Sequence, residues 1–64
     1  MKYLIIEKSK HDNFYDVLSK KNHEQLGMIF FYKKWKKWCF EPYSETVYDS
    51  VCLGEIMNYM EKLK

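Results

Sequence analysis

The sequence predicts an α+β fold: a four-stranded antiparallel meander with one C-terminal helix packed on one face, in the order ββββα. Three observations predict it. Up to residue 42 the apolar residues come in short β-branched and aromatic runs, each ended by polar turn formers. Near residue 50 the period changes, and Leu53, Ile56, Met57, Met60 and Leu63 recur at i, i+3, i+4, i+7 and i+10, one face of a helix. The connections are all short, as between antiparallel neighbours in a small domain.

The elements follow in order. "KYLIIEK" (2–8) is the first strand, and "SKHDN" breaks it. Asp12 and Asn13 form a turn before "FYDVLSK" (14–20), the second strand. "KNHE" (21–24) is a polar loop, and "LGMIFFY" (26–32) is the third strand. "KKW" turns the chain into "KWCFEP" (37–42), the fourth. Pro42 cannot donate to a ladder, so it ends that strand or lies on an edge. "YSET" (43–46) is loop, and "VY" is a short extended piece. Asp49 and Ser50 are the candidate N-caps of the helix, and Lys62 and Lys64 suit the negative end of its dipole. Gly54 costs that helix about 1 kcal/mol relative to Ala.

A chain of 64 residues bounds one domain, 1–64. Its hydrophobic content of 47% excludes a disordered chain. A domain this small buries only about 60% of its unfolded surface, so part of that apolar content has no core to enter. Alternation locates the excess. Tyr3 and Ile5 oppose Leu4 and Ile6; Met28, Phe30 and Tyr32 oppose Ile29 and Phe31. Both strands are apolar on both faces, and one helix covers one face. The other face is expected to need a second copy, a partner protein or a flat ligand; tyrosines and lysine stems are the alternative cover. Tyr3, Phe30 and Phe31 are the expected interface anchors of a homodimer or of a host-protein complex. Alternation alone does not decide which of Phe30 and Phe31 faces the helix.

Charge is uneven along the chain. Residues 1–19 carry three Lys and three acids; residues 20–38 carry six Lys and Glu24; residues 39–64 carry two Lys and five acids. The basic field centres on "YKKWKKWCF" (32–40). There Lys33, Lys34, Lys36 and Lys37 offer contacts to phosphate, and Trp35, in the turn, offers a surface on which a base can stack. Trp38 alternates with Phe40 and is expected in the core. The sequence has no arginine, and lysine lacks the planar fork that reads guanine edges, so any contact with nucleic acid or a nucleotide is not sequence-specific. The competing reading is a solvated hairpin end whose lysines blunt a sheet edge.

His11, His23, Cys39 and Cys52 form no knuckle of the C-x2-C or H-x3-H kind, so no metal site is expected. Cys39 and Cys52 are expected to be small buried hydrophobes and not a disulfide. There is no phosphate-cradling glycine loop, no paired-carboxylate motif and no nucleophile with an evident base. No cofactor and no catalytic residue are expected. "YLII" is too short for a secretory signal, and no run has transmembrane length. These features point to a reduced, cytoplasmic setting without a membrane partner.

From Leu26 to Ile56 the chain resembles a set of small proteins of bacteriophages and prophages. Their pattern is L-G-x-I-x-aromatic-aromatic, W-[KR]-x-aromatic-x-F-x-P, V-aromatic and C-L-x-x-I. Here it falls on Leu26, Gly27, Ile29, Phe31, Tyr32, Trp35, Lys36, Trp38, Phe40, Pro42, Val47, Tyr48, Cys52, Leu53 and Ile56. Lys36 stands where arginine is frequent in that pattern. The resemblance implies a viral or mobile-element origin and a place in the cytoplasm of a bacterial host. It implies no activity; small phage proteins commonly act by binding, as host-takeover or anti-defence factors. Two functions are therefore expected of the residues: protein docking on the spare sheet face, or nucleic-acid binding by the Lys/Trp hairpin.

Overall fold

The computed structural model describes residues 3–63. Strands β1 (Leu4–Lys8), β2 (Phe14–Ser19), β3 (Gln25–Tyr32) and β4 (Lys37–Pro42) form one antiparallel sheet in the order β1-β2-β3-β4. Helix α1 (Ser50–Lys62) packs on one face. The expected ββββα arrangement is the one observed. The first residue expected in strand one, and Lys64 at the helix end, lie outside the described residues.

Small side-chain devices hold the turns. At the β2–β3 turn, Ser19 Oγ accepts from the Lys21 N–H at 3.3 Å, and Asn22 Oδ1 accepts from the Glu24 N–H at 3.0 Å. In the β1–β2 turn Asn13 takes the left-handed conformation at φ 67°, which asparagine tolerates better than most residues. The β3–β4 turn spans residues 33–36 and requires φ 54° of Lys36, a non-glycine residue.

Leu4, Val17, Ile29 and Ile56 form the fully buried core. Ile6, Tyr15, Trp38, Phe40, Tyr48 and Tyr59 pack around it. The core face is thus Leu4 and Ile6 of β1, Tyr15 and Val17 of β2, Ile29 and Phe31 of β3, and Trp38 and Phe40 of β4. Phe31 meets Trp38 edge-on at 5.6 Å, Tyr15 meets Tyr59 at 5.6 Å and Phe40 meets Tyr48 at 5.4 Å. Trp38 belongs to this layer, as alternation predicts.

A register shift between Val17 and Leu18 inserts Leu26 as an extra residue: Val17 pairs with Gly27, and Leu18 with Gln25. The Leu26 carbonyl itself points to the β4 side, one rung beyond the Gly27–Pro42 pair. It accepts from the Tyr43 N–H at 2.9 Å and from the Tyr48 hydroxyl at 2.6 Å. These two bonds fix the connection that leads into α1. Beside the bulge, a Cβ on Gly27 would lie 2.7 Å from the Glu41 carbonyl oxygen and 2.8 Å from the Phe40 ring. Glycine is needed there for close approach, not for an unusual φ.

Helix α1 starts at Asp49, whose Oδ1 accepts from the Cys52 N–H at 2.8 Å. That bond, made to the ionised form, holds the Asp49 carboxyl below its ordinary value of 3.8. The helix face differs from the expected one. Cys52, Ile56, Tyr59, Met60 and Leu63 meet the sheet, whereas Leu53 is 49% exposed and Met57 59%. Cysteine and tyrosine fill the positions that a count of strongly apolar residues assigned to leucine and methionine.

Candidate functional site

Among the described residues, the face of the sheet opposite α1 has no second layer. Ile5 of β1, Phe14 and Leu18 of β2, and Met28 and Phe30 of β3 point to it, and each is only half-buried. Strand pairing arranges this open face in rows. Ile5, Leu18 and Gln25 form one row. Glu7, Asp16, Met28 and Glu41 form the next. Phe14, Phe30 and Cys39 form the third, and Tyr32 with Lys37 the fourth.

The third and fourth rows carry a continuous series of rings. His11 meets Phe14 edge-on at 6.4 Å, Phe14 stacks on Phe30 at 6.4 Å, and Phe30 meets Tyr32 at 6.2 Å. Tyr32 meets Trp35 edge-on at 4.9 Å. Trp35, 67% exposed, ends the series at the hairpin tip. The second row is acidic. Glu7 and Asp16 stand directly opposite each other on neighbouring strands, an arrangement that repels in an isolated sheet. Gln25 Nε2 donates to Asp16 Oδ1 at 2.8 Å and to the Tyr43 hydroxyl at 3.1 Å.

The meander places the β1–β2 and β3–β4 turns at one end, where the Phe31 N–H donates to the Asn13 carbonyl at 3.2 Å. Exposed Lys8 and Lys10 therefore join Lys33, Lys34, Lys36 and Lys37 in one basic end, with Asp12 as a local counter-charge. The sequence did not show this, because β1 and β4 are far apart along the chain. An open cleft of about 840 Å³ lies at the same end, between Phe31 and Trp38 on the sheet and Met60 and Leu63 on the helix, with Lys36 and Lys37 at its rim.

The expected residues divide as follows. Phe30 lies on the open face. Phe31 does not: it faces α1 and packs on Trp38, so it is no interface anchor. Tyr3 precedes β1, outside the alternation that assigned it to this face, and lines a cleft with Val47, Asp49 and Cys52. Lys33, Lys34, Trp35, Lys36 and Lys37 are all exposed at the tip. Cys39 is a half-buried residue of the open face and not a core residue; Cys52 packs against the core from α1. Both thiols are free and lie on opposite sides of the sheet. Burial pushes the Cys52 thiol above its ordinary value, which disfavours the thiolate. Among the described residues no three of His, Cys, Asp and Glu form a group that could hold a metal ion. No helix among them is long and apolar enough to cross a membrane.

Phe14, Leu18 and Cys39 are open-face members that the sequence reading missed. Alternation within strands two and four carried the signal. The exposure of three further apolar residues, Val47 at 91%, Leu53 and Met57, also escaped it. Comparison with protein-family models, curated proteins and solved structures finds no match.

Proposed function

We propose that this protein is a small non-enzymatic binding module that docks a protein surface on the open face of its sheet. One observation carries this reading: among the described residues no layer covers the face that bears Ile5, Phe14, Leu18, Met28 and Phe30, and these apolar side chains are only partly buried. Contiguous apolar surface of this kind marks an interaction site in soluble proteins. The resemblance to phage proteins supports reading the module as a host-takeover or anti-defence factor that acts in a bacterial cytoplasm. A photo-crosslinking residue substituted at Phe30 or at Leu18 tests the reading in such a cell. Protein adducts should form from both positions and not from exposed Asn58 on the helix. Equal yields from all three positions reject it.

A second reading has its own observation. Trp35, 67% exposed at the end of a series of neighbouring rings, sits among lysines of the β3–β4 turn, at the same end of the sheet as Lys8 and Lys10. Stacking of a base on such a ring contributes about 1–3 kcal/mol, and lysine contacts to phosphate weaken steeply with salt. Single-stranded oligonucleotides should then give a low-salt anisotropy signal that is lost when Lys33, Lys34, Lys36 and Lys37 are all changed to Ser. The absence of any signal from the unmodified protein rejects this reading.

A further inference from the structure

Resting on the docking role of the open face, we infer that its occupant is a second copy of this chain, related by a two-fold axis that crosses the strands at the Phe14–Phe30–Cys39 row. Charge pattern selects this arrangement. Two open faces can pack about an in-plane two-fold axis that runs along the strands or across them. An axis along the strands keeps each row at its own level. It would lay the Glu7–Asp16–Glu41 row on itself and repel. An axis across the strands reverses the order of rows and keeps each strand above its own copy. Centred on the Phe30 row, it exchanges the rows on either side. Lys37, whose edge position in β4 borders the helix-side cleft but belongs to the open-face row, then meets Glu41 of the other copy, and Tyr32 meets Met28. The turn carrying Lys10 and His11, with Asp12 beside them, comes over Glu7 and Asp16. Shifted by one row toward the carboxylates, the same axis would again stack acid on acid.

This pairing also accounts for two features of the single chain. Glu7 and Asp16 face each other without a cation in their own row, and the second copy supplies one. The Phe14 and Phe30 rings stack at 21° to each other, so they present a shared surface to the rings of the copy. Four strands about 4.8 Å apart, each about six residues long, give a flat footprint of roughly 400 Å². That is about half of what one partner buries in a standard interface. The dimer is therefore concentration-dependent, and its charge matching decides its register.

Sedimentation equilibrium of the whole chain over a concentration series tests this. The parent should be a reversible dimer. Lys37→Glu and Glu41→Lys should each weaken it about tenfold, as contacting charges do, and the double variant should return close to the parent. Both positions are exposed, so circular dichroism should show the fold unchanged. A short bis-maleimide should join two chains through Cys39, the thiol nearest the axis. A mass of one chain at every concentration overturns the second copy as occupant; the docking reading then stands or falls on the Phe30 and Leu18 crosslinks. A dimer whose two charge variants do not rescue each other, or that links only through Cys52, overturns the register.

Discussion

The two glycines offer the same chemical change with opposite expected signs. In Gly27→Ala the new Cβ would lie 2.7 Å from the Glu41 carbonyl oxygen and 2.8 and 2.9 Å from two carbons of the Phe40 ring. Ordinary contact begins near 3.4 Å. The carbonyl belongs to β4, whose pairing to β3 continues through Phe40 and Cys39, so it cannot retreat without disturbing that ladder. Overpacking of this kind costs about 1–3 kcal/mol. Loss of glycine freedom in the unfolded chain returns about 0.4–1 kcal/mol. The net is a destabilisation of up to about 2.6 kcal/mol, centred near about 1.3 kcal/mol, or a fall in Tm centred on roughly 5–10 °C for a domain of this size. In Gly54→Ala nothing lies within 4 Å of the new Cβ, and the helix gains about 0.8–1.0 kcal/mol. Its Tm should rise by roughly 3–8 °C. Thermal melts followed by circular dichroism at equal protein concentration measure both. A Gly27→Ala variant that melts with or above the parent would refute the close approach of Phe40 and the β3–β4 register that produces it.

Other variants probe the helix and the turns. Ile56→Ala should cost about 2–5 kcal/mol in urea unfolding, whereas half-exposed Leu53→Ala should cost less than about 1 kcal/mol; equal losses would return the helix to the face expected from sequence. The Asp49 carboxyl is lowered in the folded state, so the stability it contributes is complete above its ordinary value of 3.8 and is lost as pH falls through the lower folded value. Asp49→Asn keeps a capping oxygen but cannot titrate; its Tm should fall less than the parent's between pH 5 and pH 2.5, a range on the order of the carboxylate window. Lys36→Gly removes a side chain from a left-handed position and should stabilise by up to about 1 kcal/mol, read from the same urea curves.

The strands and their turns were legible because their signals are local. A run such as "LGMIFFY" and a turn such as "SKHDN" each carry their own chemistry. Which face a residue takes is not local. Phe30 and Phe31 are equal in sequence, and only pairing with Cys39 and Trp38 separates them. The bulge at Leu26 resets the phase between the start of β3 and its remainder, and Gly27 beside it was the one available hint. On α1, two stripes overlap at Ile56, Met60 and Leu63. The stripe through Cys52 and Tyr59 wins because Tyr59 packs its ring on Tyr15, a contact that residue hydropathy does not register. The hairpin tip was legible as basic and aromatic; the contribution of Lys8 and Lys10 required the meander to bring two turns together.

The order of the meander also governs how the chain reaches this state. Each strand pairs with its neighbour in sequence, so every hairpin can close by a short loop on the microsecond scale. Contact order is low within the sheet, and rapid folding follows. Only α1 must return across a longer span, and it leaves the ribosome after all four strands. For that interval the sheet shows solvent both the face of Ile29 and the face of Phe30. The carboxylates and lysines placed among its apolar rows then act as gatekeepers, keeping a two-faced apolar ribbon from joining its neighbours before the helix seals one side.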